Sequence, residues 1–114
     1  MYVVIRNQED IVKHYGIDSQ LGICQEECAE LIQAISKIQR FGHKCNENDI
    51  MNWLKLKDGI VEEMADVIVC LDQLQFIFAI TDGELEDKAN EKINRQFARM
   101  MTEKTESKDR LPFE

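Results

Sequence analysis

Proline and glycine are scarce in this sequence. The 114 residues include one proline and five glycines, while hydrophobic residues make up 44% of the total. A fold of many short strands needs frequent turns, so this composition argues against such a fold and favours long helices. The length suits one hydrophobic core, and we therefore expect a single domain.

Long apolar runs and a cysteine framework are missing as well. The longest apolar runs, residues 67–71 and 76–80, are too short to cross a bilayer, and no signal peptide is recognisable. Four cysteines occur, at positions 24, 28, 45 and 70. Their spacing differs from the common zinc motifs, and free thiols suit a reducing compartment. We expect a cytoplasmic protein without a membrane partner.

Positive charge is also in short supply. The formal net charge is −8, with 14 basic and 22 acidic residues and no basic stripe. Such a chain is a poor candidate for binding a nucleic-acid backbone. Acidic residues placed beside apolar positions instead indicate bound cations.

The first two predicted helices meet near Gly16. Residues 8–15 form a short helix that is capped by Asn7 and ended by Gly16. Asp18 or Ser19 caps the second helix, which extends to about Arg40. Its apolar residues stand at positions 21, 24, 28, 31, 35 and 38, a spacing that is typical of a packed seam.

A loop over residues 41–48 precedes the remaining helices. Asp49 caps a helix through Trp53 with a break or bend near Gly59, after which apolar residues recur at 60, 64, 67, 71, 74 and 78. A turn at 81–83 opens a last helix with apolar positions 85, 89, 93, 97 and 100. We expect an all-α bundle of four to five helices over residues 1–101 and a loose, polar tail over 102–114.

Four carboxylates occupy matching positions on two of these helices. Glu27 and Glu30 are three residues apart, and so are Glu63 and Asp66, so each pair projects from adjacent turns beside an apolar seam. If the seams pack together, the four negative groups converge between two central helices. Their repulsion in a partly dry site favours a hard divalent cation, Mg²⁺ or Mn²⁺.

Alternative interpretations of the acidic pairs stay open. Glutamates are good helix formers, and pairs of them are commonest on solvated faces. A di-iron site typically needs Glu-x-x-His, and neither His14 nor His43 has a glutamate three residues before it. A non-catalytic oligomerisation module would use the apolar seams and would not need the carboxylates.

The acidic motifs resemble those of a known superfamily. Residues 25–31 (QEECAEL) and 62–68 (EEMADVI) are similar to the EExxE and ExxD motifs of the MazG-like all-α nucleoside triphosphate pyrophosphohydrolases, and the resemblance spans about residues 18–99. It implies Mg²⁺-dependent hydrolysis of a nucleoside triphosphate to a monophosphate and pyrophosphate, for instance to sanitise the nucleotide pool. Related enzymes of this architecture act on phosphoribosyl-ATP, which is an alternative substrate.

The resemblance also implies roles for individual residues. The Mg²⁺ ligands it implies are Glu27, Glu30, Glu63 and Asp66, while Glu26 and Glu62 match further acidic positions that could activate water. Lys92 and Arg95, which share one face of the last helix with Lys88 and Arg99, are candidates for binding the triphosphate; a solvated, ion-paired face is the alternative.

Aromatic and amide side chains are the candidates for recognising the nucleoside. Trp53 and Phe41 are possible stacking surfaces, although a single tryptophan is more often a core residue. Gln20 lies seven residues before Glu27 on the same helix face and is a candidate for a hydrogen bond to the sugar or base; capping is the alternative. Members of the superfamily build their sites at subunit interfaces, which implies a homodimer or homotetramer.

Overall fold

The computed structural model describes residues 7–42 and 49–109, and these residues form four helices without any strand. The helices are α1 (Gln8–Tyr15), α2 (Ile17–Phe41), α3 (Ile50–Phe78) and α4 (Asp82–Asp109). The predicted all-α class is therefore confirmed. Most of the predicted loop before α3, including Cys45 and His43, lies outside the described residues.

Gly16 separates α1 from α2 as the single residue between them. Its backbone has a φ of 91°, a region that favours glycine, and its N–H donates to the carbonyl oxygen of Val12 at 2.8 Å. The predicted bounds of α1 are confirmed. The predicted cap of α2 is wrong, because Gly16 itself precedes the helix and Asp18 lies within its first turn.

The third helix runs without interruption through Gly59. The predicted break near this residue is wrong, since α3 extends over 29 residues from Ile50 to Phe78. A glycine inside a helix costs about 1 kcal/mol relative to alanine, which the packing of such a long helix easily offsets.

Helices α2 and α3 pack side by side in antiparallel directions. Gln20 Nε2 donates to Gln73 Oε1 at 3.2 Å, and one turn later the thiol of Cys24 contacts the carbonyl oxygen of Cys70 at 3.7 Å. Successive contacts therefore lie later in α2 and earlier in α3, which shows that the two helices are antiparallel. The first helix packs against this pair, and Gln8 Nε2 donates to the carbonyl oxygen of Val69 at 3.3 Å.

The packed faces differ from the predicted seams by a small rotation of each helix. Cys28 is exposed, and several other predicted seam residues retain 42–59% of their accessible surface: Ile35, Met64, Leu71 and Phe78. Glu27 and Glu63 are instead half-buried. The helices thus turn their carboxylate-bearing side toward each other, which places part of the apolar stripe in solvent.

A second unit begins at Ile80 and contains α4. The side chains of Thr81 and Glu84 cap its start reciprocally: the Glu84 N–H donates to Thr81 Oγ1 at 3.1 Å, and the Thr81 N–H donates to Glu84 Oε2 at 2.8 Å. Residues 102–109, which belong to the predicted polar tail, continue α4 as a helix. Lysine and glutamate are good helix formers, so polarity alone does not end a helix. Residues 110–114 lie outside the described part.

None of the four helices combines the length and the apolar character that a membrane span requires within the described residues.

Candidate metal centre

Four carboxylates from α2 and α3 meet at one place between the two helices. Each of Glu27, Glu30, Glu63 and Asp66 offers an oxygen, and these oxygens all lie within 4.8 Å of one another. The three-residue spacing aligns each pair along its own helix, and the antiparallel packing brings the pairs together. The convergence predicted from the sequence is therefore present in the structure.

Two members of the cluster each have one buried carboxylate oxygen. Glu27 and Glu63 are half-buried, whereas Glu30 and Asp66 are exposed. The Oε2 atoms of Glu27 and Glu63 are shielded from solvent and accept no hydrogen bond from any described residue. A buried carboxylate oxygen without a donor is costly, so these atoms call for a cation or a proton.

Burial and neighbouring charge both disfavour ionisation here. Burial, together with the negative charges of Asp66 and Glu30, raises the pKa of Glu27 to about 7. Burial likewise raises the pKa of Glu63, with Glu30 as the strongest neighbouring charge. Without a cation the cluster therefore holds protons near neutral pH, and a protonated carboxyl can then donate a hydrogen bond to its neighbour.

The dimensions of the cluster suit a small divalent cation. Mg²⁺ holds oxygen ligands at about 2.0–2.1 Å, so oxygens on opposite sides of the ion are about 4.2 Å apart. The observed limit of 4.8 Å is slightly wider, and small side-chain rotations would close the difference. An all-oxygen ligand set favours Mg²⁺ or Mn²⁺ over zinc.

The two buried thiols near the carboxylates are poor partners for a metal. Cys24 and Cys70 are buried one turn from the carboxylates, and burial, together with the interaction between the two thiols, raises the pKa of Cys70 to about 12. With this raised pKa, Cys70 stays protonated. Because a thiol binds metal as the thiolate, Cys70 serves as a core residue and not as a ligand.

Glu26 and Glu62 lie beside the cluster but outside it. Both are exposed, and each precedes a cluster residue by one position, which turns it about 100° around the helix axis. The charge of Glu62 contributes to the raised pKa of Glu63. Activation of water by either residue stays a prediction.

Gln20 and Trp53 occupy different environments from each other. Gln20 is 3% exposed and bonded to Gln73, and its Oε1 is buried without a partner among the described residues. Trp53 is half-buried, with its indole N–H likewise unpartnered and the Lys57 ammonium 5.8 Å from the ring centroid. Contact of either side chain with a nucleoside stays a prediction.

The basic residues on α4 are partly engaged within their own helix. Arg95 Nη2 lies 3.1 Å from Glu91 Oε1, and Lys88 Nζ lies 3.2 Å from Glu91 Oε2, with all three side chains more than half exposed. This is how a solvated helix face is commonly arranged. Binding of phosphate by Lys92 and Arg95 stays a prediction.

A groove next to the carboxylates was not predicted from the sequence. It encloses about 380 Å³ between α2 and α3. Its lining includes Glu30, Ala34 and Lys37 from α2 and Lys55, Gly59 and Glu63 from α3. Helical spacing was the available signal, because Lys37 is seven residues from Glu30 and Lys55 is eight residues from Glu63.

Comparison of the chain with family models, curated protein sequences and solved structures gives no significant match.

Proposed function

We propose that this protein is a Mg²⁺-dependent nucleoside triphosphate pyrophosphohydrolase of the MazG-like kind, with Mn²⁺ as a possible substitute. The observation that supports the proposal most strongly is the carboxylate cluster shared by α2 and α3. Its four members stand at the positions of the EExxE and ExxD motifs. Two of their oxygens are buried without a donor, as expected for ligands of a cation.

The reaction we propose is attack of water on the α-phosphorus. A bond forms from the water oxygen to that phosphorus, the bond to the bridging oxygen breaks, and pyrophosphate leaves. Mg²⁺, when bound, supplies charge neutralisation and an acidified water. Glu27, Glu30, Glu63 and Asp66 hold the ion, and Glu26 or Glu62, which stay outside the ligand set, accepts the proton of the attacking water.

We also propose that the protein works as a homodimer or homotetramer in the cytoplasm. Among the described residues only Val12, Cys24 and Cys70 are buried apolar residues, which is a small core. A stripe along α3 retains 42–59% of its accessible surface: Ile50, Leu54, Val61, Met64, Leu71 and Phe78. A continuous apolar stripe of this length is unfavourable in water, and a second copy of the chain would cover it.

A non-catalytic oligomerisation module is the second candidate. The exposed apolar stripe on α3 favours it, because such a module would need little else. It leaves the convergence of four carboxylates unexplained, since uncompensated like charges in a partly buried site are destabilising. The two candidates differ in whether the protein consumes nucleotides.

Pyrophosphate release decides between these candidates. The experiment presents the protein with canonical and modified ribo- and deoxyribonucleoside triphosphates, and with phosphoribosyl-ATP, in the presence and absence of Mg²⁺. The proposal requires Mg²⁺-dependent release of pyrophosphate from at least one nucleoside triphosphate. Release from phosphoribosyl-ATP alone would assign the protein to the related phosphohydrolases, and no release from any substrate would favour the module.

A further inference from the structure

The groove between α2 and α3 has features of its own that the metal centre does not account for. Two small residues are part of its lining, Ala34 on α2 and Gly59 on α3. A side chain at Gly59 would meet no atom within 4 Å at its Cβ position, so free space is present there. The small residues therefore leave room for a ligand beside the helices.

Two lysines stand at the groove without acidic partners. Lys37 and Lys55 are exposed, and neither forms an ion pair or a hydrogen bond with any described residue. In a chain with a net charge of −8, two unpaired cations at one groove mark a local site for an anion.

The two lysines lie on the same side of the carboxylate cluster. Lys37 follows Glu30 by seven residues and Lys55 precedes Glu63 by eight, which is about 10–12 Å along each helix. Because the helices are antiparallel, both steps lead away from the cluster toward the same end. Glu30 and Glu63 line the groove at its other end, so the groove joins the metal centre to the lysines.

We propose that this groove binds the pyrophosphate half of the substrate, with Lys37 and Lys55 neutralising the β- and γ-phosphates while the α-phosphate lies at the carboxylate cluster. The inference rests on the proposed function and deepens it by orienting the substrate. Lysine ammonium groups are common phosphate ligands, and they carry the positive charge that an acidic site otherwise lacks. The nucleoside then extends from the cluster toward Gln20, which lies on the side opposite the lysines, so this orientation argues against the predicted stacking on Trp53.

The test measures binding of inorganic pyrophosphate to the full-length protein by titration calorimetry, with and without Mg²⁺. Lys37→Gln and Lys55→Gln should each weaken binding about tenfold, because each removes a charge-assisted contact. Lys57→Gln is the matched control, since it removes the same charge from α3 at a residue that does not line the groove; it should change the affinity by less than about twofold. Binding of Mg²⁺ alone should not weaken in any of the three variants.

A second variant fills the groove while keeping both lysines. Gly59→Leu replaces a poor helix former by a good one, so α3 should be retained, and the added side chain should reduce pyrophosphate affinity. Circular dichroism verifies the fold of this variant.

The outcomes separate the groove from the proposed function. No pyrophosphate binding to the wild type in either condition, or equal weakening by Lys57→Gln and the two groove variants, would overturn the subsite. Nucleotide hydrolysis that is unaffected by both groove lysines would also overturn it while leaving the function intact. If the protein binds pyrophosphate through these lysines but hydrolyses no nucleotide, the subsite is supported and the proposed pyrophosphohydrolase activity is wrong.

Discussion

Glu27 on α2 and Asp66 on α3 present carboxylate oxygens within 4.8 Å of each other across the helix pair. The negative charge of Asp66 adds to burial in raising the pKa of Glu27 to about 7. Neither helix has this property alone, because the spacing within each helix brings together only one pair of carboxylates. The antiparallel packing of α2 and α3 creates the centre, and it makes the stability of the fold depend on what neutralises the cluster.

The first prediction concerns stabilisation by metal. Mg²⁺ or Mn²⁺ that binds only the folded state at 100 times its dissociation constant should add about 2.7 kcal/mol, which raises the Tm by roughly 10 °C. Thermal unfolding with and without metal measures the shift. Glu27→Gln should reduce the shift while leaving the metal-free Tm equal or higher, since it removes repulsion. An equal shift in this variant would argue against the site.

The second prediction concerns pH. The pKa of Glu27 is about 7 in the folded protein against 4.5 ordinarily, so the folded state holds the proton more tightly. Its contribution to stability is complete below pH 4.5 and is lost as the pH rises through 7. In urea denaturation without metal, the free energy of unfolding of the wild type should therefore fall relative to that of Glu27→Gln between pH 4.5 and 8. A difference that is constant with pH would contradict the assignment.

The affinity for metal should follow the opposite course. Carboxylates bind Mg²⁺ when ionised, so binding must displace the proton of Glu27, whose pKa is about 7. Calorimetric titration should show tighter binding as the pH rises through 7, with release of protons to the buffer.

The third prediction concerns the amide pair beside the centre. Gln20→Ala leaves Gln73 Oε1 with only the long contact from the Cys24 thiol, at 4.0 Å, and should destabilise the fold by about 1–3 kcal/mol. Urea denaturation of Gln20→Ala, Gln73→Ala and the double variant measures the coupling between them. If Gln20 also binds the nucleoside, its substitution should raise KM beyond what Gln73→Ala does. A coupling energy near zero would contradict the described hydrogen bond.

The fourth prediction concerns assembly. The mass in solution should be two or four times 13.3 kDa. Leu71→Glu places a charge on the exposed stripe of α3 and should shift the protein toward the monomer in light scattering. Ser19→Glu adds the same charge at an exposed polar position of α2 and should leave the mass unchanged. A wild-type monomer with full activity would remove the oligomer from the proposal.

Periodicity and motif spacing predicted the parts of the molecule that depend on local sequence. The bounds of α1, the end of α2 and the alignment of each carboxylate pair along its own helix follow from the local sequence. Spacing within one helix does not determine how far that helix is rotated against its neighbour. Cys28 and Met64 fit an apolar seam, yet both are exposed because the helices turn their carboxylates inward.

Other features escaped prediction for different physical reasons. Gly59 suggested a break, but packing along a long helix outweighs the cost of one glycine. The polar sequence after Met101 gave no indication that α4 continues to Asp109, although a solvated helix can consist of polar residues. Lys37 and Lys55 stand at helical spacing from Glu30 and Glu63, but spacing within each helix does not show that the two lysines share a groove.

The most direct test of the central claim is the rate of pyrophosphate release by Glu63→Gln, measured on the nucleotide that the wild type hydrolyses best. Glutamine keeps the size and helix propensity of glutamate but removes an anionic ligand, so metal should bind less tightly and kcat should fall by at least about a hundredfold. Lys104→Gln, an exposed residue on α4, serves as the control and should retain the wild-type rate. If Glu63→Gln folds, binds nucleotide and releases pyrophosphate at the wild-type rate, the carboxylate cluster is not the catalytic centre.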